Sequence, residues 1–327
     1  MKKKDVIQIV IIFVIAAILG LCIGKGLKIW QENKAQALKD QEAGAMVRSY
    51  DDDDDDDDSE DVETTEESSS ETQTTEEKSG SVSEGNTENS SGTEVATESE
   101  EERVATDEEK YTYVAIGNSI TCNEYPLSVE GLWWSSSAMC VSSPKKDYPH
   151  LFRKYLDKKT SLKKDVKLMT VVCKNWENAV DRNYYADIII DSLPENTRVI
   201  SLQLGENVTE NKENISAEFE YLFSGIRNRF PEAKIMLFQQ ILFLDGHEDV
   251  DAAMYSAAEN NGISIINIDA FNEKYESEYK AYEGMEVLGD DGNTYVVSDI
   301  TVAAHPNDAG HACLAELLEA TYESIAD

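Results

Sequence analysis

The sequence is poor in histidine, cysteine and positive charge. It has four histidines, five cysteines and 29 Lys/Arg against 65 Asp/Glu in 327 residues, for a net charge of −36. It contains no Cys-x-x-Cys and no His-Glu-x-x-His motif, so we predict no metal site and no cofactor. Because nucleic-acid phosphates are bound by a basic face, we expect no nucleic-acid partner.

The negative charge is unevenly distributed along the chain. Residues 1–50 carry a net +4, residues 51–110 carry −23, and residues 111–327 carry −17. The acidity is therefore chiefly a property of the middle segment. Since a domain takes roughly 100–200 residues, the last segment has the length of one generous domain.

One long apolar run lies near the N-terminus. From Val6 to Gly24 only Gln8 is clearly polar, and a helix of this length spans about 28 Å, close to the hydrocarbon thickness of a bilayer. Three lysines precede the run and favour a cytoplasmic N-terminus. We therefore predict a cytoplasmic segment at 1–5, a transmembrane signal anchor at 6–24, and a single-pass cell-membrane protein whose remaining residues are extracellular.

A cleaved signal peptide is the alternative to the anchor. It needs a small residue at the cleavage site, whereas Leu21 precedes Cys22. Beyond the run, residues 25–48 mix apolar with polar side chains and predict a juxtamembrane helix. Residues 49–110 include eight consecutive aspartates and are then rich in Ser, Thr, Glu and Gly. With so few large apolar residues to bury, they predict a disordered acidic linker.

Residues 111–327 alternate apolar runs with amphipathic segments. The runs predict strands at 111–116, 166–172, 198–204, 233–238 and 263–268. The segments between and after them predict helices at 148–156, 178–192, 215–230, 250–260 and 308–323. Most of the strands are apolar along their whole length, which is typical of a parallel sheet covered on both faces. In such α/β folds, ligands bind outside the carboxyl ends of the strands.

Three polar side chains stand where such a site would be. Ser119 follows the first strand and a glycine, and its own N–H can face an oxyanion. Asn207 follows the third strand and can aim its amide at the same crevice. His305 precedes the last helix, for which Asp308 is the predicted N-cap, and a neutral imidazole there could take the serine proton. The other histidines fall on helices or at a helix start.

These segments resemble the GDSL/SGNH hydrolase family. Three motifs match its blocks in order, namely Gly117-Asn118-Ser119-Ile120-Thr121, Gly205-Glu206-Asn207, and His305-Pro306-Asn307 with Gly310. Between the first two, the tryptophan pair and an Asp-Tyr motif resemble a membrane-anchored bacterial branch. The resemblance covers residues 111–325. It implies a flavodoxin-like three-layer α/β/α sandwich with a central parallel sheet, Ser119 as nucleophile, His305 as base, and Ser119 N–H with Asn207 as oxyanion donors.

Two positions depart from the family pattern. The acidic residue expected three positions before the histidine is Val302 here. His305 is then oriented by a backbone carbonyl, by Asp299, or by no acid. The glycine expected in the second block is also missing, because the corresponding loop, residues 174–178, has none. Asn175 or a nearby backbone N–H is the expected substitute as an oxyanion donor.

The roles of two further sets of side chains stay open. Trp133 and Trp134 are either core residues or a sugar-stacking platform, and we expect one to be buried and one to lie near the crevice. Outside the cytoplasm, the four cysteines beyond the anchor permit disulfides. Cys122–Cys140 is the first candidate pair, with free buried thiols as the alternative.

The sequence therefore predicts a membrane-anchored extracellular serine esterase. The resemblance implies an acylated carbohydrate or a small ester as substrate, and removal of acetyl groups from cell-surface carbohydrate as the activity. An acyltransferase using the same Ser-His chemistry is one alternative. A non-catalytic glycan-binding module on a decayed hydrolase fold is another, motivated by Val302 and the missing glycine. The sequence makes no prediction of oligomeric state.

Overall fold

A computed structural model of the chain describes residues 47–50, 110–123, 133–159, 166–242 and 246–325, the first of these as backbone only. The predicted anchor at 6–24 lies outside these residues, as do most of the predicted juxtamembrane helix and linker. Within the described ranges no helix has the length and apolar character needed to cross a bilayer.

The centre of the domain is a six-stranded sheet. Its strands are β1 (Val47–Tyr50), β2 (Tyr111–Gly117), β3 (Val166–Val172), β4 (Thr197–Gln203), β5 (Lys234–Phe238) and β6 (Ser264–Ile266). Their order across the sheet is β1-β3-β2-β4-β5-β6, and all pairs are parallel except β1 with β3. Counted from β2, the five parallel strands have the order 2-1-3-4-5, which is the flavodoxin-like order. The predicted parallel sheet is confirmed.

Helices follow the strands and cover both faces of the sheet. They are α1 (Tyr148–Lys159), α2 (Lys174–Asn178), α3 (Arg182–Ser192), α4 (Ile215–Arg229), α5 (Glu248–Asn260), α6 (Asp269–Lys274) and α7 (Asp308–Ser324). A single π-helical turn, Tyr275–Tyr279, continues α6, and a small hairpin of β7 (Glu286–Leu288) and β8 (Thr294–Val296) stands apart from the sheet. The five predicted helices are present with small shifts of their ends.

Side chains of β2 show why this strand has no polar face. Val114 and Ile116 pack in a core cluster with residues of α3, α4 and α5, whereas Tyr113 and Ala115 pack with residues of α1, α6 and α7 on the opposite face. All four are fully buried. A strand covered on both sides has a continuous apolar run. The sheet covered on both faces, which this pattern predicts, is confirmed.

Strand β1 was not predicted. Its residues Val47 to Tyr50 pair antiparallel with Val171 to Leu168 of β3. Residues 47–48 were expected to end the juxtamembrane helix and 49–50 to begin the linker, but all four are extended and paired. Pairing gives the outer edge of β3 hydrogen-bond partners that an edge strand otherwise lacks. Residues 51–110 therefore connect two strands of one sheet.

None of the four described cysteines, Cys122, Cys140, Cys173 and Cys313, forms a disulfide, and the first three are buried. The Cys122–Cys140 disulfide candidate is therefore wrong, and the alternative of buried thiols holds for those three. Cys140 is fully buried, and its Sγ donates to the carbonyl oxygen of Val302 at 3.1 Å. Burial raises the pKa of the Cys140 thiol to about 12, so the protonated thiol serves as a hydrogen-bond donor in the core.

Candidate active site

The loop after β2 presents Ser119 at the carboxyl edge of the sheet. A side chain at Gly117 would place its Cβ 1.9 Å from Thr121 Oγ1 and 2.8 Å from the Gln203 carbonyl oxygen. Only glycine fits this position. Beyond it, Thr121 N donates to the carbonyl oxygen of Asn118 at 2.8 Å. The chain thus turns tightly around the serine, as the motif predicts.

Ser119 and His305 meet across the sheet edge. Ser119 Oγ lies 2.7 Å from His305 Nε2. The loop carrying His305 is fixed at the start of α7, where the side chain of Asn307 accepts from Gly310 N at 3.0 Å. Asn307 is thus the N-cap, and the prediction that Asp308 takes this role is wrong. The Asp308 carboxylate instead accepts from Ser142 N at 2.6 Å.

The other ring nitrogen of His305 faces backbone carbonyls. Nδ1 lies 2.9 Å from the carbonyl oxygen of Val302 and 3.1 Å from that of Thr301. A carbonyl oxygen can only accept, so Nδ1 carries the hydrogen in the neutral ring and Nε2 is left with its lone pair. That lone pair points at Ser119 Oγ, which is the tautomer needed for a general base. Of the alternatives for orienting His305, the structure shows the backbone carbonyl.

The surroundings hold the pKa of His305 below its usual value of 6.5. Burial is the largest cause, because it disfavours the charged imidazolium, and the two backbone hydrogen bonds oppose it. His305 is therefore neutral at neutral pH. If it acts as base, the ionisation that abolishes activity on acidification should have its midpoint below pH 6.5. A kcat/KM profile against pH checks this, and a final loss of activity centred above 6.5 contradicts it.

Asp299 lies on the same loop without contacting His305 by any described hydrogen bond. Its carboxylate accepts from Thr301 N at 2.8 Å, from the Thr301 hydroxyl, and from Val302 N at 3.3 Å. These bonds hold the turn whose carbonyls receive His305 Nδ1. The structure therefore places Asp299 as a support of the loop and not as a hydrogen-bond partner of the ring.

Asp299→Asn is expected to lower kcat/KM by less than about tenfold, because the amide oxygen can still accept some of the hydrogen bonds that hold the turn. An acid bonded directly to the histidine of a catalytic triad behaves differently, since its replacement by asparagine costs roughly 10⁴ in kcat. Steady-state kinetics distinguish the two roles. A loss of about 10³-fold or more in a folded variant contradicts the supporting role.

Asn207 lies on the loop after β4 and lines the same cavity as Ser119 and His305. Its Nδ2 donates one hydrogen bond, of 2.7 Å, to Glu177 Oε2. The second Nδ2 hydrogen and the Ser119 N–H have no acceptor among the described residues. Two N–H donors on residues that line the cavity are therefore left without a protein acceptor, and an oxyanion requires donors of this kind.

The cavity at this edge has a volume of about 550 Å³. Its walls are mostly apolar and include Ile120, Met139, Val172, Leu242 and Ile300. Lys174 adds an exposed ammonium group to the lining. A volume of this size suits a small organic ligand, and Ser119, Asn207 and His305 are among the polar residues of its lining.

Three predicted residues do not line this cavity. Asn175 lies in the first turn of α2, and Lys174 lines the cavity in its place. Trp133 is 1% exposed and belongs to an apolar cluster, as expected for one tryptophan of the pair. Trp134 stacks on Tyr295 at 4.6 Å between ring centroids and is not among the cavity-lining residues. The structure thus brings together Ser119, Asn207 and His305 but not the other three.

Two buried carboxylates that are hydrogen-bonded to the loops of the site were not predicted. Glu206 also lines the cavity. Glu177 of α2 is 0% exposed and Glu206 is 5% exposed. Both accept from Asn118 Nδ2, at 3.2 Å and 2.8 Å. Glu177 belongs to the segment 174–178, which lacks the glycine of the family pattern, and Glu206 is the variable residue of the Gly-x-Asn motif. The spacing of Glu177 and Glu206 in the sequence does not indicate that they meet, because only the folded sheet brings their segments together.

No protein-family model and no curated protein matches the sequence. Similar solved structures include a salicylyl-acyltransferase from a tetracycline biosynthetic pathway (17% identity, TM-score 0.41, 66% of this chain and 55% of that one). Others are phospholipase A1 from Streptomyces albidoflavus (12%, 0.40, 65% and 99%) and an acetylxylan esterase from Geobacillus stearothermophilus (16%, 0.39, 64% and 93%). This chain spans about half the length of the acyltransferase.

Proposed function

We propose that this protein is a serine esterase in which Ser119 is the nucleophile and His305 the general base. The observation that carries the proposal is the 2.7 Å contact between Ser119 Oγ and His305 Nε2. The accepting tautomer of the histidine supports it, as do the two N–H donors on Ser119 and Asn207, which line the same cavity. The motif order that resembles the GDSL/SGNH family points to the same residues.

The reaction proceeds through an acyl-enzyme. Ser119 Oγ attacks the ester carbonyl carbon while its proton passes to His305 Nε2, and the carbonyls of Val302 and Thr301 stabilise the imidazolium through Nδ1–H. The tetrahedral oxyanion accepts from Ser119 N–H and Asn207 Nδ2–H. On collapse, the C–O bond to the alcohol breaks and His305 returns its proton to the leaving alkoxide. Water then repeats the sequence, giving a carboxylic acid and free serine.

The finer proposal is an esterase held at the cell membrane with an extracellular catalytic domain. The apolar run at 6–24 and the three lysines before it support this location. An acylated carbohydrate outside the membrane is the proposed substrate. The family resemblance supports it, and the similar acetylxylan esterase is named for such a substrate.

The direct test is turnover of p-nitrophenyl acetate by the folded protein, with Ser119→Ala as the matched control. The wild type should release p-nitrophenol catalytically, and the variant should fall to the uncatalysed rate. Equal rates for the two proteins, or no turnover by the wild type, contradict the proposal. Repeating the assay with an acetylated oligosaccharide and analysing the products separates hydrolysis, which gives acetate, from transfer to another sugar hydroxyl.

A further inference from the structure

Glu177 is a buried carboxylate whose oxygens are all engaged by N–H donors of the two active-site loops. Oε1 accepts from Gly205 N at 2.7 Å and from Asn118 Nδ2 at 3.2 Å, and Oε2 accepts from Asn207 Nδ2 at 2.7 Å. Arg182 approaches only the backbone oxygen of Glu177, at 2.9 Å. Among the described residues, no cationic side chain is hydrogen-bonded to this carboxylate. A buried negative charge without a partner cation costs stability, so we expect the Glu177 carboxylate to have a function.

The contact with Asn207 determines which way its amide faces. An ionised carboxylate accepts hydrogen bonds and cannot donate them, so it selects the NH₂ group of Asn207 and rejects the carbonyl oxygen. One N–H is then held on Glu177 and the other is left for the cavity. A glutamine, or a protonated glutamic acid, could donate to the Asn207 oxygen and would allow the flipped amide, which has no N–H to offer an oxyanion.

A second buried carboxylate, that of Glu206, shares a hydrogen-bond donor with Glu177. Glu206 Oε2 accepts from Asn118 Nδ2 at 2.8 Å and from Gln203 Nε2 at 2.9 Å, and its Oε1 accepts from Ile241 N at 3.1 Å. Asn118 therefore bridges the two acids directly beside Ser119. It donates to both through one NH₂ group, and these two hydrogen bonds hold the loop that carries the nucleophile.

From this geometry we propose that Glu177 is a positioning residue, which in its ionised form orients the Asn207 amide as an oxyanion donor. The proposal rests on the proposed esterase function and names a part of its machinery outside the three motifs. Glu177 does not line the cavity, so its proposed effect on the reaction passes through Asn207, which does.

The groups around Glu177 make this role sensitive to pH near neutrality. Burial, and next the charge of Glu206, raise the pKa of Glu177 to about 7. Burial also raises the pKa of Glu206 and keeps the neighbouring Cys173 thiol neutral by raising its pKa well above the usual value. Beyond Glu206, burial raises the pKa of Asp251 on α5 to about 6. As the pH falls through the pKa of Glu177, the orienting charge is lost.

The test is a double-mutant cycle on kcat at about pH 8, where Glu177 is ionised. Removing an oxyanion donor costs roughly 10²–10³ in kcat, so Glu177→Gln is expected to lower kcat about tenfold or more at an unchanged KM. In the Asn207→Ala background the same substitution should cost less than about twofold. Glu220→Gln on α4, outside the cavity, serves as the control and should leave kcat unchanged.

An unchanged kcat in Glu177→Gln overturns the proposal, and so does an equal loss with and without Asn207. If Ser119→Ala retains turnover, the proposed function fails. If turnover needs Ser119 but the cycle is additive, only the role of Glu177 fails.

If Glu177→Gln does not fold, the wild type alone still tests the idea. Its kcat should fall about tenfold or more to a lower plateau as the pH drops through about 7, before the His305 ionisation abolishes activity. A kcat without this step overturns the proposal.

Discussion

His305→Gln is expected to lower kcat/KM for an ester substrate roughly 10³-fold or more, because a positioned general base contributes about 10²–10⁴ and the serine hydroxyl is a weak nucleophile without it. In the wild type, His305 Nε2 lies 2.7 Å from Ser119 Oγ. Glutamine has no basic nitrogen, so the variant has no proton acceptor at this position. Steady-state kinetics with p-nitrophenyl acetate give the measurement. KM should change little.

Substitutions of residues that act together in catalysis have strongly non-additive effects on the rate. The double variant Ser119→Ala/His305→Gln should therefore be no slower than Ser119→Ala alone. His247→Gln is the matched control, because His247 lies at the start of α5 and does not line the cavity. A folded His305→Gln protein with more than about a tenth of wild-type kcat/KM contradicts the base role.

Val302→Asp is expected to destabilise the domain by about 3 kcal/mol without raising activity, although it restores the residue of the family pattern. Val302 is 3% exposed and belongs to an apolar cluster with Trp133, Cys140 and Val297. Its backbone oxygen, and not its side chain, receives His305 Nδ1. The introduced carboxyl would therefore be buried among apolar side chains. Denaturant unfolding monitored by tryptophan fluorescence measures the loss.

The loss at Val302→Asp should depend on pH in a known direction. Burial raises the pKa of a carboxyl, so the folded state binds its proton more tightly than the unfolded state does. The penalty then grows as the pH rises through that raised pKa and shrinks on acidification. Val302→Asn is the neutral control, with a loss that does not change in this way. An active, stable Val302→Asp protein with increased kcat would show that the side chain reaches His305.

Support of a histidine by carbonyls instead of a carboxylate has a consequence for rate. In triads, asparagine in place of the aspartate costs roughly 10⁴ largely because it stabilises the wrong tautomer. Backbone carbonyls only accept, so Val302 and Thr301 hold the right tautomer. What they lack is the full negative charge that stabilises the imidazolium. We expect a working but slower pair than one with a buried acid.

Much of the fold could be predicted because its strands are buried on both faces. Continuous apolar runs mark β2 to β6, the amphipathic helices between them carry clear periodicity, and glycine or proline marks several of the ends. Strand β1 escaped prediction because four residues beside an aspartate run show no pattern of their own, and their pairing is set by the exposed edge of β3. The β7–β8 hairpin is similarly short and partly exposed.

The candidate site was predictable where topology alone brings residues together. Ser119 and Asn207 follow neighbouring parallel strands, so the carboxyl edge of the sheet places them side by side, and His305 reaches them from the loop before α7. Glu177 was not predictable, because its role depends on which way a short helix turns its side chains. The carbonyl partners of His305 have no sequence signature, since every residue has a carbonyl.

The most direct test of the central claim is the site at which a fluorophosphonate reacts. The folded wild-type protein should gain one phosphonyl group, and peptide mass spectrometry should place it on Ser119. The same reagent should leave the denatured protein and the His305→Gln variant unlabelled, because reaction needs the assembled pair. Labelling of another residue, or equal labelling of native and denatured protein, would contradict the assignment of Ser119 as the nucleophile.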